Sequence, residues 1–237
     1  NIHLTKVDSE YPDNKLTGAT FEVYKDSNAN GKLDDGDELL GTLTEKEKGE
    51  YSMNDLFYGR YFVKETKAPE GFVLDTGVYE VMIDTNGKTC EVENKAGVGF
   101  INDAMRGNLK IVKTSSDGKV KGFAFRITGA NGYDIILETN DKGEIFIDGL
   151  RIGDYTISEV SNSASSMYVI PADKKATVKL GSTTIVEMHN VLRDTPKTGD
   201  TTNLPLLYTL AGLSAVGIAV CGVIGFKKKK KKKEDRN

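Results

Sequence analysis

The stretch GEYSMNDLFYGRYFVKE, residues 49–65, decides the fold, because a related stretch follows about ninety residues later. Residues 143–159 read GEIFIDGLRIGDYTISE and align with the first stretch without a gap. Six of the seventeen positions are identical, and in the first copy they are Gly49, Glu50, Leu56, Gly59, Tyr61 and Glu65. Self-similarity of this kind indicates repeated structural units, so the chain is predicted to hold two copies of one domain.

The repeat extends in both directions from this stretch. Upstream, LTKV at residues 4–7 corresponds to IVKT at residues 111–114, and downstream FIN at 100–102 corresponds to MHN at 188–190. We therefore predict one domain over residues 1–105 and a second over residues 106–193. Residues 194–237 follow as a segment of different composition.

Both copies read as short runs of alternating apolar and polar residues, broken by Gly, Asp, Asn and Lys. The clearest runs are Tyr61–Lys64, Tyr79–Ile83, Phe123–Thr128, Tyr155–Ser158, Thr177–Leu180 and Thr184–Met188. Such runs are typical of antiparallel β-sandwiches. The predicted fold class is therefore all-β, with two tandem immunoglobulin-like sandwiches, and no amphipathic helix stands out before residue 204.

Three polar side chains in each copy fall on strand faces that are otherwise apolar. Side chains at i, i+2 and i+4 share a face, which places Lys6 beside Ile2 and Leu4. The same alternation applies to Glu65, Asn102, Lys113, Glu159 and Asn190. An isolated charge is costly to bury, so the Lys, the Glu and the Asn of each domain are expected to meet in its core.

Grouped in a core, these three residue types can react. Desolvation lowers the pKa of a lysine and raises that of a glutamate, which favours a neutral amine and a protonated acid. The amine can attack the Asn carboxamide while the Glu transfers protons, which releases ammonia and leaves a Lys–Asn isopeptide bond. The alternatives are a buried Lys–Glu ion pair capped by the Asn, and a lysine whose amine reaches solvent.

These features resemble the Cna B-type, SpaA-like prealbumin-fold domains of Gram-positive adhesins and pilins. The resemblance covers residues 1–193, and ETKAPEGF at residues 65–72 is a particularly specific match. It implies a bond from the first-strand Lys to the last-strand Asn with the Glu as catalyst: Lys6–Asn102 with Glu65, and Lys113–Asn190 with Glu159. The second copy departs from the family pattern at residues 160–163, which read VSNS.

The C-terminal segment has three parts in a fixed order. TPKTG at residues 195–199 precedes the apolar run 204–226, and seven lysines open the basic tail 227–237. The run holds 23 residues without a charge, and a helix of that length crosses a hydrocarbon core of about 30 Å. Because positive charge stays on the cytoplasmic side, we predict a transmembrane helix with the tail inside and residues 1–203 outside.

This order resembles the cell-wall sorting signal of Gram-positive surface proteins, in which a Leu-Pro-x-Thr-Gly-type motif precedes an apolar span. In that family a sortase cuts after the Thr and joins its carbonyl to an amine of peptidoglycan or of another pilin. The resemblance assigns Thr195, Pro196 and Lys197 to the motif and cleavage to the Thr198–Gly199 bond. Thr195 stands where leucine is usual. Membrane residence would then be transient, whereas the alternative is an ordinary single-pass membrane protein.

A twelve-residue loop in the first copy fits the calcium-loop pattern. Its candidate ligands are Asp26, Asn28, Asn30, Lys32 through its carbonyl, Asp34 and Asp37. The pattern also has glycine at its sixth position, Gly31. We predict a weak Ca²⁺ site of the extracellular kind, against the alternative of a metal-free tight turn. No cofactor is otherwise required.

Composition narrows the functional classes. The net charge is −3 although the tail is strongly basic, so the outer part is acidic and nucleic acid is not expected as a partner. No phosphate-binding glycine loop or Ser-His-Asp set is present, so an enzyme is not expected beyond single-turnover crosslinking. The chain begins at Asn1 without Met or a signal peptide, which is typical of the C-terminal part of a longer protein.

The sequence therefore predicts a stalk anchored to the cell wall of a Gram-positive bacterium, which displays an upstream region that binds a host extracellular-matrix or cell-surface ligand. The first alternative is a minor or basal pilin subunit that a sortase joins to a fibre. A polymerising pilin would also supply an acceptor lysine in a pilin-type motif, and no convincing one is present. The second alternative is the anchor and stalk of an extracellular enzyme.

Overall fold

A computed structural model describes residues 1–194, and Asn1–Leu192 forms one compact unit. Within the described residues every regular element is a β-strand except a 3₁₀ turn at Ala130–Gly132. The predicted all-β class with two tandem sandwiches is therefore confirmed. The sorting motif 195–199, the apolar run 204–226 and the tail 227–237 lie outside the described residues. Residues 1–194 contain no helix long and apolar enough to span a membrane.

The first sandwich contains nine strands in two sheets. They are β1 (Ile2–Asp8), β2 (Thr20–Lys25), β3 (Glu38–Thr42), β4 (Thr44–Glu47), β5 (Glu50–Met53), β6 (Gly59–Lys67), β7 (Val78–Ile83), β8 (Cys90–Glu91) and β9 (Phe100–Asn102). One sheet has the order β4-β5-β1-β8, with β9 also paired to β1, and the other has the order β3-β2-β6-β7.

The second sandwich repeats this plan with eight strands. They are β10 (Arg106–Ser115), β11 (Ala124–Thr128), β12 (Asp134–Glu138), β13 (Glu144–Arg151), β14 (Gly153–Val160), β15 (Tyr168–Val169), β16 (Lys174–Val178) and β17 (Thr183–Leu192). The sheet orders are β13-β10-β17-β15 and β12-β11-β14-β16. Each sandwich encloses its own apolar core.

The tyrosine that both copies of the repeat share, Tyr61 and Tyr155, has a structural role. The Tyr61 hydroxyl donates to the carbonyl of Phe57 at 2.7 Å, and the Tyr155 hydroxyl donates to the carbonyl of Arg151 at 2.9 Å. Each bond thus closes the turn that leads into β6 or β14. Burying the rings while their hydroxyls stay bonded explains why tyrosine stands at both positions.

One predicted strand end is wrong. The run Thr177–Leu180 was expected to be one strand, but β16 ends at Val178 and Leu180 is 59% exposed. The chain turns here because Gly181 adopts φ 62°, a left-handed conformation that glycine accepts without strain. The alternation of apolar and polar residues continues beyond Val178 into this turn, which is why the sequence predicts a later strand end than the structure has.

Candidate functional site

The first and last strands of each sandwich lie side by side and run parallel. In the first sandwich Lys6 is opposite Phe100, which places Asn102 two residues farther along the neighbouring strand. In the second, Lys113 is opposite Met188 and Asn190 is again two residues farther along. Since side chains two residues apart share a face, each Lys and Asn point into the same core from adjacent strands.

A glutamate from the facing sheet completes each cluster. Nδ2 of Asn102 donates to both carboxylate oxygens of Glu65, at 3.0 Å and 2.9 Å. In the second sandwich Nδ2 of Asn190 donates to Oε1 of Glu159 at 2.6 Å. All six side chains are buried, as the alternation predicts, and the most exposed of them, Glu159, is 8% exposed.

The lysine amines stay inside the cores, so neither side chain reaches solvent as one alternative supposed. Nζ of Lys6 donates to the carbonyl of Phe100 at 3.1 Å and lies 5.5 Å from the centre of its ring. Nζ of Lys113 donates to the carbonyl of Thr114 and lies 4.1 Å from the centre of the Phe123 ring. Lys6 is 0% exposed and Lys113 is 1% exposed.

Burial moves the pKa values toward the neutral forms. It lowers the pKa of the Lys6 amine from 10.5 to about 8, against the attraction of the Glu65 carboxylate. Burial also raises the pKa of Glu65 above its ordinary value. The second cluster shifts in the same directions, with a lowered pKa for Lys113 and a raised pKa for Glu159, both chiefly through burial. A neutral amine beside a protonated acid is the pair that amide exchange requires.

The side-chain oxygen of each asparagine lacks a partner among residues 1–194. Oδ1 of Asn102 and Oδ1 of Asn190 are buried, and neither accepts a hydrogen bond from any of these residues. A buried polar atom without a partner is destabilising by about 1–3 kcal/mol, and a catalytic role is one of the reasons why native proteins retain such atoms. These are the oxygens on which charge would develop if the amine attacked the carboxamide.

The repeated glycine at the start of the 49–65 stretch contacts the strand that carries the buried lysine. The backbone N–H of Lys6 donates to the carbonyl of Gly49 at 2.7 Å, and that of Lys113 donates to Gly143, also at 2.7 Å. A Cβ at Gly49 would lie 2.9 Å from the Lys6 carbonyl oxygen, and one at Gly143 would lie 2.7 Å from that of Lys113. Only glycine therefore allows the turn to approach the lysine strand this closely.

Sequence reasoning missed two residues next to the first cluster. Asp75 donates its backbone N–H to Oε2 of Glu65 at 2.8 Å. The Asn94 side chain brackets the backbone of Ile101, the residue before Asn102. Both lie in loops, where neither alternation nor the repeat marks them, so their proximity to the cluster gives no sequence signal.

The predicted calcium loop is held by its own hydrogen bonds. Oδ2 of Asp26 accepts the N–H of Gly31 at 3.1 Å, and Oδ1 of Asp34 accepts Nδ2 of Asn28 at 3.0 Å. Among residues 1–194 no group of three or more His, Cys, Asp or Glu side chains is placed to hold a metal ion. Oδ1 of Asp26 is buried and has no hydrogen-bond partner in the described part of the chain, and the Asp26 side chain is 2% exposed. Calcium binding stays a prediction.

Comparisons with known proteins agree with this architecture. Residues 1–96 and 107–191 each match the model of the SpaA prealbumin-like fold domain. The chain is 28% identical over 194 residues to the trypsin-resistant surface T6 protein of Streptococcus pyogenes serotype M6, covering 69% of this chain and 34% of that protein. The structure of the Bacillus anthracis TIE protein is similar at a TM-score of 0.59 with 25% identity, over 80% of this chain and 33% of that one. The chain thus spans about a third of the length of these relatives.

The residues matched by the family model, 1–96 and 107–191, make up most of the sequence. The chain therefore belongs to the family of SpaA prealbumin-like fold domains, of which it holds two in tandem.

Proposed function

We propose that residues 1–193 are two stalk domains of a surface protein, each closed by a self-formed isopeptide bond. The bonds join Lys6 to Asn102 and Lys113 to Asn190. The observation that carries the proposal is the same in both sandwiches. A buried Lys and a buried Asn lie on parallel first and last strands, and the Asn is hydrogen-bonded to a buried Glu of the facing sheet.

The proposed reaction uses only groups of each cluster. A half-turn of the Asn carboxamide about Cβ–Cγ brings Oδ1 to the Glu carboxyl, which is possible because amide O and N are nearly equal in size. The neutral Lys Nζ then attacks Cγ while the Glu O–H protonates Oδ1. Return of that proton, transfer of an amine proton to Nδ2 and breakage of the Cγ–Nδ2 bond release ammonia, and the carboxyl group is regenerated.

Such bonds would fit a load-bearing role. In the first sandwich the bond would join Lys6 to Asn102, so tension would pass from residue 5 through the crosslink to residue 103. The strands between the two crosslinked residues would then carry no tension. The crosslink would also constrain the unfolded chain, by about 4–5 kcal/mol for a loop of ~100 residues, as for a disulfide. The similar T6 protein is described as a trypsin-resistant surface protein, which supports a rigid stalk exposed to proteases.

Anchoring is part of the same proposal and depends on residues 195–237. A sortase would cut after Thr198, join the chain to peptidoglycan or a pilin subunit, and release Gly199 onward with the apolar run and tail. The full chain, preceded by a secretion signal and expressed in a Gram-positive host that supplies a sortase, is expected to yield a wall-linked C-terminus at Thr198 by mass spectrometry. Pro196→Ala should prevent this product, whereas Lys197→Ala, at the variable motif position, should preserve it. A product that retains residues 199–237 would contradict the proposal.

The region upstream of Asn1 would set the role of the stalk. We favour an adhesive region that contacts a host matrix or cell-surface ligand. A minor or basal pilin would be found covalently linked to other subunits, and an enzyme anchor would carry a catalytic domain upstream. Sequencing the upstream region separates these three roles.

The crosslinks are tested by the intact mass of residues 1–193, measured under denaturing conditions. Each bond removes one ammonia, about 17 Da. We expect a deficit of two ammonias, reduced to one by Glu65→Ala or Glu159→Ala and abolished by both together. A mass equal to the calculated value would contradict the reaction and leave two buried ion-pair clusters.

A further inference from the structure

We infer that Asp75 and Asn94 are positioning residues for the isopeptide reaction of the first sandwich, holding Glu65 and Asn102 in one geometry. This inference rests on the proposed function. It assigns a task to two loop residues that lie outside the Lys-Glu-Asn cluster and have no counterpart in the 49–65 repeat.

The first support acts on the strand that carries the reacting asparagine. Oδ1 of Asn94 accepts the N–H of Ile101 at 2.6 Å, and Nδ2 of Asn94 donates to the carbonyl of the same residue at 2.9 Å. This pair of bonds fixes the backbone immediately before Asn102. A side-chain amide thus satisfies both backbone groups of Ile101, as a second neighbouring strand, beside β1, would otherwise do.

The second support acts on the glutamate. The backbone N–H of Asp75 donates to Oε2 of Glu65 at 2.8 Å. The Asp75 carboxylate is itself fixed, because Oδ2 accepts Nδ2 of Asn94 at 2.7 Å and the Tyr79 hydroxyl at 2.8 Å, while Oδ1 accepts the N–H of Gly77 at 2.6 Å. Burial raises the pKa of Asp75, but these hydrogen bonds outweigh it and hold the pKa below its ordinary value. The Asp75 carboxylate therefore stays ionised.

The two supports meet at one atom. Nδ2 of Asn94 bonds both to the Ile101 carbonyl and to Asp75, so the catalyst and the reacting strand belong to one connected network. A cavity of about 190 Å³ beside this network is lined by Asp75, Asn94 and Asn102 among others. This volume is several times that of a water-sized molecule. The cavity is therefore large enough to receive the ammonia that Asn102 would release.

The contrast between the sandwiches explains why only the first needs this device. Its last strand, β9, has three residues, all paired with β1. In the second sandwich β17 has ten residues, eight of which pair with β10, and it also pairs with β15. A long ladder fixes Asn190 by itself, whereas Asn102, the last residue of a three-residue strand, needs the added hydrogen bonds of Asn94. Correspondingly, Oε2 of Glu159 has no hydrogen-bond partner among the described residues.

The test follows ammonia loss during cell-free synthesis of residues 1–193, with samples quenched in denaturant and the crosslinked peptides of each sandwich quantified separately. Asn94→Ala is expected to slow Lys6–Asn102 bond formation roughly tenfold to a hundredfold, the cost of a small misplacement of reacting groups. The Lys113–Asn190 bond in the same molecules should form at the wild-type rate. Tyr51→Phe is the matched control, since it removes from the same core a hydroxyl that accepts a hydrogen bond from the N–H of Ala19 at 3.1 Å.

Two further variants separate positioning from loss of folding. Tyr79→Phe removes one bond to Asp75 with little change in shape and should slow the reaction modestly. Asp75→Asn should shift the pH–rate profile to lower pH, because the Asp75 charge, with Glu65 and Asp8, raises the pKa of Lys6 and also raises that of Glu65. A change that only weakened folding would leave the profile in place.

The outcomes are distinct. Wild-type protein that forms no Lys6–Asn102 bond would overturn the proposed function, and this inference with it. Wild-type protein that forms the bond, together with folded Asn94→Ala and Tyr79→Phe proteins that react at the wild-type rate, would overturn this inference alone.

Discussion

The guanidinium of Arg151 in the second sandwich donates two hydrogen bonds to the carboxylate of Asp8 in the first, at 2.6 Å and 2.7 Å. Asp8 is 0% exposed and lies at the end of β1, two residues after Lys6. The planar fork of arginine matches a carboxylate at two points, which lysine cannot do. The strand that carries the proposed crosslink therefore ends in an ion pair with the next sandwich.

Replacing this arginine should loosen the junction. Arg151→Met keeps an apolar stem but leaves the Asp8 carboxylate buried without its cation, a loss of about 3–5 kcal/mol in comparable cases. The N–H of Ile152, which donates to the carbonyl of Met105 at 3.0 Å, reports on the same junction. We expect its hydrogen exchange, corrected for the neighbouring substitution, to accelerate about a hundredfold or more.

Arg126→Met provides the control for that measurement. Arg126 also forms a two-point pair, with Asp134, but this pair is exposed and lies within the second sandwich. Its loss should leave Ile152 exchange unchanged, because exposed ion pairs contribute little. Equal exchange in all three proteins would show that the contacts of Arg151 with Asp8 and Glu10 do not hold the junction.

The sequence predicts the two clusters but not their surroundings, for a physical reason. Lys6, Glu65 and Asn102 stand in phase with apolar neighbours, and alternation is a local property that one strand reveals by itself. Arg151 and Asp8 are 143 residues apart, and their pairing depends on how two complete sandwiches meet. The positions of Asp75 and Asn94 depend in the same way on the paths of their loops, which are determined by hydrogen bonds to backbone far away in the sequence.

The wrongly predicted strand end at Leu180 has the opposite cause. There the local alternation of apolar and polar residues continues into a turn, so the local pattern predicts a strand that is too long.

The lowered pKa of Lys6 predicts how stability depends on pH in a protein that cannot crosslink. In Asn102→Ala the Lys6 amine remains free, with a pKa of about 8 when folded and 10.5 when unfolded. Between these values the unfolded state binds more protons, so the free energy of unfolding should rise with pH, by up to about 1.4 kcal/mol per pH unit. Below pH 8 the amine is protonated in both states and contributes no slope.

Urea unfolding from pH 7 to 10 checks this expectation. The reference is Lys6→Met combined with Asn102→Ala, which lacks the titrating amine while keeping other groups the same. The free energy of unfolding of Asn102→Ala, minus that of the double variant, should rise across the window, because only Asn102→Ala carries the Lys6 amine. A constant difference would mean that the Lys6 amine titrates alike in both states and is not desolvated by folding.

Loss of the first crosslink should lower stability and protease resistance together. Glu65→Gln keeps the size of the side chain but removes the acid, so the Lys6–Asn102 bond should not form. We expect the free energy of unfolding to fall by about 4–5 kcal/mol, the entropy of closing a loop of ~100 residues. Trypsin digestion, followed on gels over time, should cleave this variant faster than the wild type.

Glu80→Gln serves as the matched control, because Glu80 is an exposed residue of β7 in the same sheet as Glu65. It should retain both the ammonia deficit and the slow digestion. Rapid digestion of the wild type, at the rate of Glu65→Gln, would contradict the link between the bond and protease resistance.

The loop of residues 26–37 predicts a stabilising effect of Ca²⁺ that is independent of the crosslinks. Its best structural support is Oδ1 of Asp26, a buried oxygen that has no hydrogen-bond partner among the residues the structure describes and that a cation would satisfy. Because extracellular sites bind Ca²⁺ with Kd values of about 10⁻⁴–10⁻³ M, 10 mM Ca²⁺ should stabilise the fold by about 1.4–2.7 kcal/mol.

Thermal unfolding of two variants tests whether this loop is the site. Asp34→Asn should abolish the stabilisation by Ca²⁺, whereas Asp13→Asn, at an exposed position in the same sandwich, should preserve it. Equal unfolding midpoints with Ca²⁺ and with chelator would leave residues 26–37 as a turn held by their own hydrogen bonds.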